Sequence, residues 1–406
     1  MSELQQFINK NPPQDWSLVS LKRALNLKNG RDYKSVEAES GYPVIGSGGQ
    51  FTYANDFLYN GEAVLLGRKG TLDKPLYVNE PFWTVDTMFY GIPQTGYDPK
   101  FIYYCATILP FDFYQSDTAI PSMSQSALNN HKILVPSYAK QKEISTFLDK
   151  EVSHIEYLIS KKKSLISLML ERRVSNIKHL LTKGLDVSNS SFKNSPVFWI
   201  GKVPTHWDLV KLRHLVEIET GSRDTQDKIA DGEYPFFVRS NTIERINSFS
   251  MDKEAVLTSG DGAGVGKIFH HYKGKFDFHQ RVYAFINFNK ITARFFYYFL
   301  SSFFQDQMTQ YSAKSTVDSV RMPFLKSMVF TIPPISEQNE ITSQLDKDLS
   351  RINDLHSKIR KSIKKLEELK KSLITEAVTG QLDIEAWKNR NTADRRLDKI
   401  EEEMAS

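Results

Sequence analysis

The 406-residue sequence has one cysteine, Cys105, so no disulfide can form within the chain. Cys105 lies in the apolar run Ile102-Tyr-Tyr-Cys-Ala-Thr-Ile-Leu109, where a buried structural thiol is expected. No apolar run approaches the ~20 residues that a membrane span requires. The opening MSELQQFINK has no apolar signal core. The expected setting is therefore soluble, reducing and cytoplasmic. Catalytic signatures are also scarce. No G-x-S-x-G elbow occurs, and the lone cysteine has no partner pattern. His270, His271 and His279 lack clustered cysteines or carboxylates at ligand spacing, so surface or polar-core roles are expected for them and no metal.

One stretch looks at first like a phosphate loop: Ser259-Gly-Asp-Gly-Ala-Gly-Val-Gly-Lys267. A P-loop needs G-x-x-x-x-G-K-[ST]. Gly266 and Lys267 fit, but Asp261 stands where the first glycine belongs and Ile268 where the hydroxyl belongs. The dinucleotide pattern fails too, because the glycines recur at every second residue. The expectation is a glycine-rich turn between two strands, at positions that need positive φ.

What is present is moderate in charge and high in repetition. Lys and Arg number 53 against 48 Asp and Glu, for a net charge of +5, which permits an acidic partner without demanding one. The length is enough for two or three domains. The chain also repeats itself. Trp16-Ser-Leu-Val-Ser-Leu-Lys22 matches Trp207-Asp-Leu-Val-Lys-Leu-Arg213, and Glu62-Ala-Val-Leu65 matches Glu254-Ala-Val-Leu257. Gln141 to Asp186 aligns without a gap with Gln338 to Asp383, at an offset of 197, and Pro136 and Pro333 precede the two stretches at that same offset.

Both of these stretches read as helices. Leu345, Ile352, Ile359, Leu366 and Leu373 recur every seven residues, flanked by Leu349 and Ile363. In the first copy Leu148, Ile155 and Met169 form one stripe and Val152, Ile159, Ile166 and Leu180 the other, interrupted by Lys162, Arg173 and Asn176. About 40 residues at ~1.5 Å each make a rod of roughly 60 Å. Such a rod cannot bury its stripe alone, so the two are expected to pair as a coiled coil. The segments before them hold short Phe-, Tyr- and Val-rich runs punctuated by Gly, Asn, Asp and Pro, the pattern of strand-rich domains. Ala293 to Leu300 is a helix candidate, and Ser188 to Pro196 reads as linker. The plan is a first domain over 1–140, a long helix over 141–186, a linker over 187–204, a second domain over 205–337, a second helix over 338–385 and a charged tail over 386–406.

This pattern resembles the specificity (S) subunit of type I restriction-modification systems over essentially the full length. The residues that carry the resemblance are Trp199-Ile-Gly-Lys-Val-Pro-Thr-His-Trp207, Ile332-Pro-Pro-Ile-Ser-Glu-Gln338 with its looser copy Val135-Pro-Ser-Tyr-Ala-Lys-Gln141, and Gly67-Arg-Lys-Gly-Thr-Leu72. The departure is Ser137-Tyr138 where the second copy has Pro334-Ile335. The resemblance implies an α+β chain: two strand-rich target recognition domains joined by two long helices in an antiparallel coiled coil, with an internal pseudo-twofold repeat. It implies a non-catalytic subunit that reads a split duplex DNA target. The partners implied are two methyltransferase (M) subunits, which carry S-adenosylmethionine, and restriction (R) subunits, which use ATP and Mg²⁺. No cofactor is implied in this chain. The helices would supply the docking surface for M.

If the chain were itself an adenine methyltransferase it would need an (N/D)-P-P-(Y/F) loop. Asn11-Pro-Pro-Gln14 has Gln14 in place of the aromatic that stacks on a flipped base. A self-sufficient methyltransferase or nuclease and a scaffold with no sequence readout are the alternatives. Candidate DNA-contacting residues are polar side chains in the segments that differ between the domains. In the first domain these are Ser47, Gln50, Arg68, Lys69 and Lys74. In the second they are Arg223, Arg239, Asn241, Arg245, Lys267, Gln280 and Arg281. The glycine loop and Gly67-Arg-Lys-Gly-Thr71 follow the same strand in each domain, so two readings stand for them: contact with DNA phosphates, or a tight strand connection. Unlike domains imply an asymmetric target.

Overall fold

A computed structural model describes residues 13–111, 122–311 and 319–389. The chain divides into two compact units, the first from residues 1–164 and 358–406, the second from 165–357. Each unit takes one globular domain and one stretch of each long helix.

The first unit holds two four-stranded sheets. One runs, in spatial order, Leu25–Asn29, Met88–Pro93, Glu62–Gly67, Leu76–Asn79. The other runs Glu37–Ala38, Gly49–Ala54, Tyr42–Gly46, Trp83–Thr84. In the second unit the same frame is one six-stranded sheet, ordered Glu217–Thr220, Val282–Ile286, Met251–Ser259, Phe269–Phe278, Tyr234–Phe237, Glu244–Ile246. The difference has a local cause. The ten-residue strand Phe269–Phe278 pairs antiparallel with Met251–Ser259 and, at its far end, parallel with Tyr234–Phe237. In the first unit the corresponding chain carries Pro81, which has no N–H for the ladder, and the strand splits into Leu76–Asn79 and Trp83–Thr84. The second fragment still makes the parallel pairing, Val44 to Trp83 and Ile45 to Thr84.

Helix Pro99–Thr107 backs the first domain and Ala293–Tyr311 the second. Cys105 lies on the former, 3% exposed, and burial pushes its thiol pKa up. The second helix is an aromatic ridge. Phe296 stacks on Phe330 at 4.9 Å between centroids and Phe299 lies 4.6 Å from the same ring. The stretch Ser188 to Pro196, read as linker, contains a strand, Phe192–Asn194, paired antiparallel with Lys202–Pro204.

The long helices are Tyr138–Lys183 and Ile335–Val378. In each unit they run antiparallel. In the first, Glu156 pairs with Lys370 (3.1 Å) and Lys163 with Glu367 (4.0 Å). In the second, Arg173 donates to Asn353 (3.5 Å) and Asn176 to Asp348 (3.1 Å). Two of the polar residues that interrupt the first heptad stripe are thus met by polar partners across the seam. Of the expected seam residues, Leu148, Val152, Ile155, Ile159, Leu345, Ile359, Ile363, Leu366 and Leu373 are buried, and Ile166, Met169, Leu349 and Ile352 are half-buried.

Three anchors bind each domain to the helices, and all three are duplicated. Gln141 and Gln338, 1% and 0% exposed, sit one turn into their helices. Gln338 Nε2 donates to the carbonyls of Pro333 and Lys290, both at 2.9 Å, and its Oε1 accepts from Thr292 N–H at 2.8 Å. Gln141 likewise donates to Pro136 O (3.0 Å) and Gly96 O (3.3 Å) and accepts from Asp98 N–H (2.9 Å). Asp149 is held by Lys100 and Tyr104, Asp346 by Arg294 and Tyr298. Burial and the hydrogen bond to the carboxylate push both tyrosine pKa values up. Trp16 and Trp207 close the ends: a Cβ on Gly380 would meet Trp16 at 3.0 Å, and one on Gly184 would meet Trp207 at 3.2 Å.

His131, 6% exposed, gives the first unit an acid-sensitive point. Burial lowers its pKa from 6.5 to about 4. The folded-state value lies below the unfolded one, so the unfolded chain binds the extra proton between the two. Stability is unaffected above pH ~6.5 and falls as pH drops toward 4, by about 3 kcal/mol. Thermal melts across that range should show the fall, and His131→Asn should flatten it. An unchanged pH profile in the variant would contradict the assignment.

Candidate nucleic-acid interface

At one end of each domain three connections meet, and their backbone hydrogen bonds coincide. Arg68 N–H donates to Thr87 O at 2.8 Å as Gly260 N–H does to Arg281 O at 2.8 Å. Met123 N–H donates to Arg68 O (2.9 Å) and Val320 N–H to Gly260 O (2.8 Å). Lys69 bridges Ser122, and Asp261 bridges Ser319. Val85 N–H reaches Ile45 O and His279 N–H reaches Phe237 O. Arg68 therefore corresponds to Gly260, Lys69 to Asp261, Thr87 to Arg281 and, two residues past the matched strand position, Ser47 to Arg239.

In the first domain the frame gathers Ser47, Arg68 and Lys69. Gly70, at φ +82°, turns the connection back so that a Cβ there would come within 3.3 Å of Ser47 Oγ. Arg68 Nη1 donates to Asp86 O at 3.3 Å, and its guanidinium carbon lies 5.7 Å from the Phe89 ring centre. Lys69 is exposed. Gln50 is exposed on Gly49–Ala54, opposite Ile45. Lys74 is exposed farther along the connection, and no described contact joins it to the cluster.

In the second domain the glycine-rich stretch is the turn from Met251–Ser259 to Phe269–Phe278. Gly262 and Gly266 have φ of +73° and +67°. Its second half packs on helix Ala293–Tyr311, where Gln305 Nε2 donates to Gly266 O at 3.2 Å. Its first half faces Arg239. Asp261 Oδ1 accepts from Arg239 Nη1 at 2.9 Å and its Oδ2 from Arg281 Nη1 at 2.7 Å. Burial pushes the Asp261 pKa up, but the two guanidinium hydrogen bonds outweigh it and hold the carboxyl below its usual range. The side chains are 38% (Arg239), 58% (Arg281) and 21% (Asp261) exposed, so all three remain accessible.

The other candidates separate by what engages them. Gln280 donates to Asp224 Oδ2 at 2.9 Å. Arg223 lies 3.3 Å from Asp277, a 1%-exposed carboxylate that also accepts from Ser248 and Ser250. Arg245 donates to the carbonyls of Gly232 and Glu233, both at 2.9 Å, and so holds that loop. Asn241 and Lys267 are exposed. Of the three histidines, His270 meets Ser240 O (3.0 Å) and His271 meets Glu254 (2.9 Å). His279 Nδ1 accepts from Arg281 N–H (2.9 Å). Burial, then the Arg239 charge, lowers the His279 pKa. Asn11 and Pro12 of the N-P-P-Q stretch lie outside the described residues, as does the tail from 390.

Sequence reasoning did not select Asp261 or Thr87. Asp261 entered only as the residue that spoils the P-loop pattern, and that departure was the available signal. Thr87 carries no signal until the two frames are superposed.

A family model described as the type I restriction modification DNA specificity domain matches residues 13–167 and 204–365. The chain is 30% identical over 191 residues to the type I restriction enzyme EcoDI specificity subunit of Escherichia coli, covering 47% of this chain and 42% of that subunit. It is 25% identical over 291 residues to the MjaVIII specificity subunit of Methanocaldococcus jannaschii, covering 66% of each. The matched part thus spans from about two fifths to two thirds of these curated relatives' length. A solved chain described under complex assembly and conformational transition of the type I R-M system has a similar fold. Its TM-score is 0.66 at 14% identity, over 92% of this chain and 100% of that one. With one family match on each half of its internal repeat, the protein belongs to the type I restriction-modification DNA specificity family.

Proposed function

We propose that this chain is the non-catalytic DNA-reading subunit of a type I restriction-modification complex, acting in the cytoplasm. Each domain reads one half of an asymmetric, split duplex target. The paired helices set the distance between half-sites and dock two M subunits. These use S-adenosylmethionine to methylate adenine N6, and R subunits with ATP join the same complex. The observation that carries the reading is the shared loop frame with unlike occupants, Ser47, Lys69 and Thr87 in one domain and Arg239, Asp261 and Arg281 in the other. A common frame brings the same backbone to the duplex, and different side chains select different bases. Half-sites on one face of B-DNA lie about 34 Å apart. Helices of 46 and 44 residues, at ~1.5 Å per residue, are longer than that.

The test is co-expression with the cognate M subunit in a methylation-free host, followed by genome-wide mapping of modified adenines. One split motif with unlike halves is the expected result. A palindromic motif would contradict the asymmetry. No modification with a competent M subunit would overturn the reading.

A further inference from the structure

Two exposed arginines on separate loops share one carboxylate in the second domain, at the three positions where the first domain has Ser47, Lys69 and Thr87. We propose that Arg239, Asp261 and Arg281 form the base-reading element of the second domain and that its target is a G·C pair. This rests on the proposed function and names the ligand class within it.

The donor and acceptor pattern carries the assignment. Guanine presents two acceptors, O6 and N7, to the major groove, and an arginine fork matches them; cytosine presents the N4 amino donor, which a carboxylate accepts. Among the described residues each arginine engages one nitrogen, Nη1, on Asp261. A guanidinium has five N–H donors, so each keeps a free edge. A carboxylate between two cations is the wrong feature for a phosphate site, since it repels the ligand and cancels part of the attraction. Lys69 at the matched position of the first domain has the opposite charge, so the frame itself does not require an acid there.

Nor is the trio needed to hold the turn. Other hydrogen bonds already do that: the backbone bonds Gly260 N–H to Arg281 O and Val320 N–H to Gly260 O, and the side-chain bond from Ser259 Oγ to Asp261 O at 2.8 Å. Ion pairs this exposed contribute little to folding. What Asp261 does is fix the direction of two long side chains that would otherwise repel each other and explore many rotamers. Such fixing sharpens a recognition contact. Arg223 and Arg245, by contrast, are engaged on a buried carboxylate and on backbone carbonyls.

The experiment selects from a random duplex library with the full chain co-purified with its M subunit, comparing wild type with Arg239→Lys, Arg281→Lys and Asp261→Asn. Lysine keeps the charge and loses the fork. The wild type should select G·C in one half-site. Each variant should lower that preference about tenfold or more and leave the other half-site unchanged, and the two lysine variants, which keep the charge, should also leave the salt dependence unchanged. All three sites are surface positions, and thermal melts matching wild type would show intact folding. A wild type selective for a split site without G·C in either half overturns the assignment. So do lysine variants that keep the wild-type preference, or Arg239→Ala and Arg281→Ala weakening all sequences alike with a salt slope smaller by about one, the signature of phosphate contacts. A wild type with no sequence preference overturns the proposed function itself, which separates that failure from failure of the trio alone.

Discussion

Gln338→Ala is expected to destabilise the second unit by about 3–5 kcal/mol. The residue is fully buried and each of its three hydrogen bonds has a backbone partner. Truncation takes the partner from Thr292 N–H and from the carbonyls of Lys290 and Pro333; the bond to Pro333 is buried and the other two are part-buried. An orphaned buried group costs about 1–3 kcal/mol, and the sum is tempered by partial relaxation. The side chain ties three things together: the entrance of helix Ile335–Val378, the loop before helix Ala293–Tyr311, and the end of strand Val329–Ile332. Gln338→Glu should fail as well, because it faces two carbonyls with an oxygen where the amide donated. Asn339→Ala, on the exposed side of the same turn, should change stability by less than about 0.5 kcal/mol. Urea denaturation decides it. A loss under about 1 kcal/mol for Gln338→Ala would mean that the bonds seen here are readily replaced by water. Gln141, with the same three kinds of partner, should behave in parallel in the first unit.

This glutamine marks the boundary of what could be read without coordinates. The heptad stripe was legible because a seven-residue period has few other causes, and the duplication because its helical half aligns without a gap. Gln141 and Gln338 were visible as matched letters in a motif, but not as a buried cross-link. Their partners, Asp98 and Thr292, lie over forty residues upstream, and nothing local announces such pairings. The same holds for Asp149 and Asp346, which read as ordinary helix-surface acids until a tyrosine and a cation from the domain helix close on them. Composition could not separate Arg239 from Arg245 either. Both are exposed arginines in a divergent segment, yet one faces a shared carboxylate and the other ties down backbone carbonyls. The split of the first domain's sheet had a readable cause in Pro81, but its meaning needed the unbroken strand Phe269–Phe278 for comparison.

Trp207→Ala should cost about 3–5 kcal/mol, the range for deleting a buried large aromatic. The ring is 0% exposed and belongs to a buried apolar cluster that also holds Leu180 and Leu181 from one long helix and Ile341 and Leu345 from the other, within the second unit. Its Nε1 donates to Glu337 Oε2 at 3.0 Å, an oxygen that also lies 2.9 Å from His206 Nε2. The helix Tyr138–Lys183 ends against it at Gly184, whose φ of +78° and missing Cβ let the chain turn beneath the ring. Trp207→Phe keeps most of the apolar contact and loses the donor, so its cost should be about 1–3 kcal/mol. Gly184→Ala should cost at least about 1 kcal/mol, from the left-handed backbone and a Cβ that would sit 2.9 Å from Glu337 Oε1. Melting of the single and double variants reads the joint directly. If Trp207 and Gly184 form one seat, the Trp207→Ala, Gly184→Ala pair should cost less than the two singles added, because removing the ring opens the space the methyl needs. Strict additivity would show that helix end and tryptophan contribute independently.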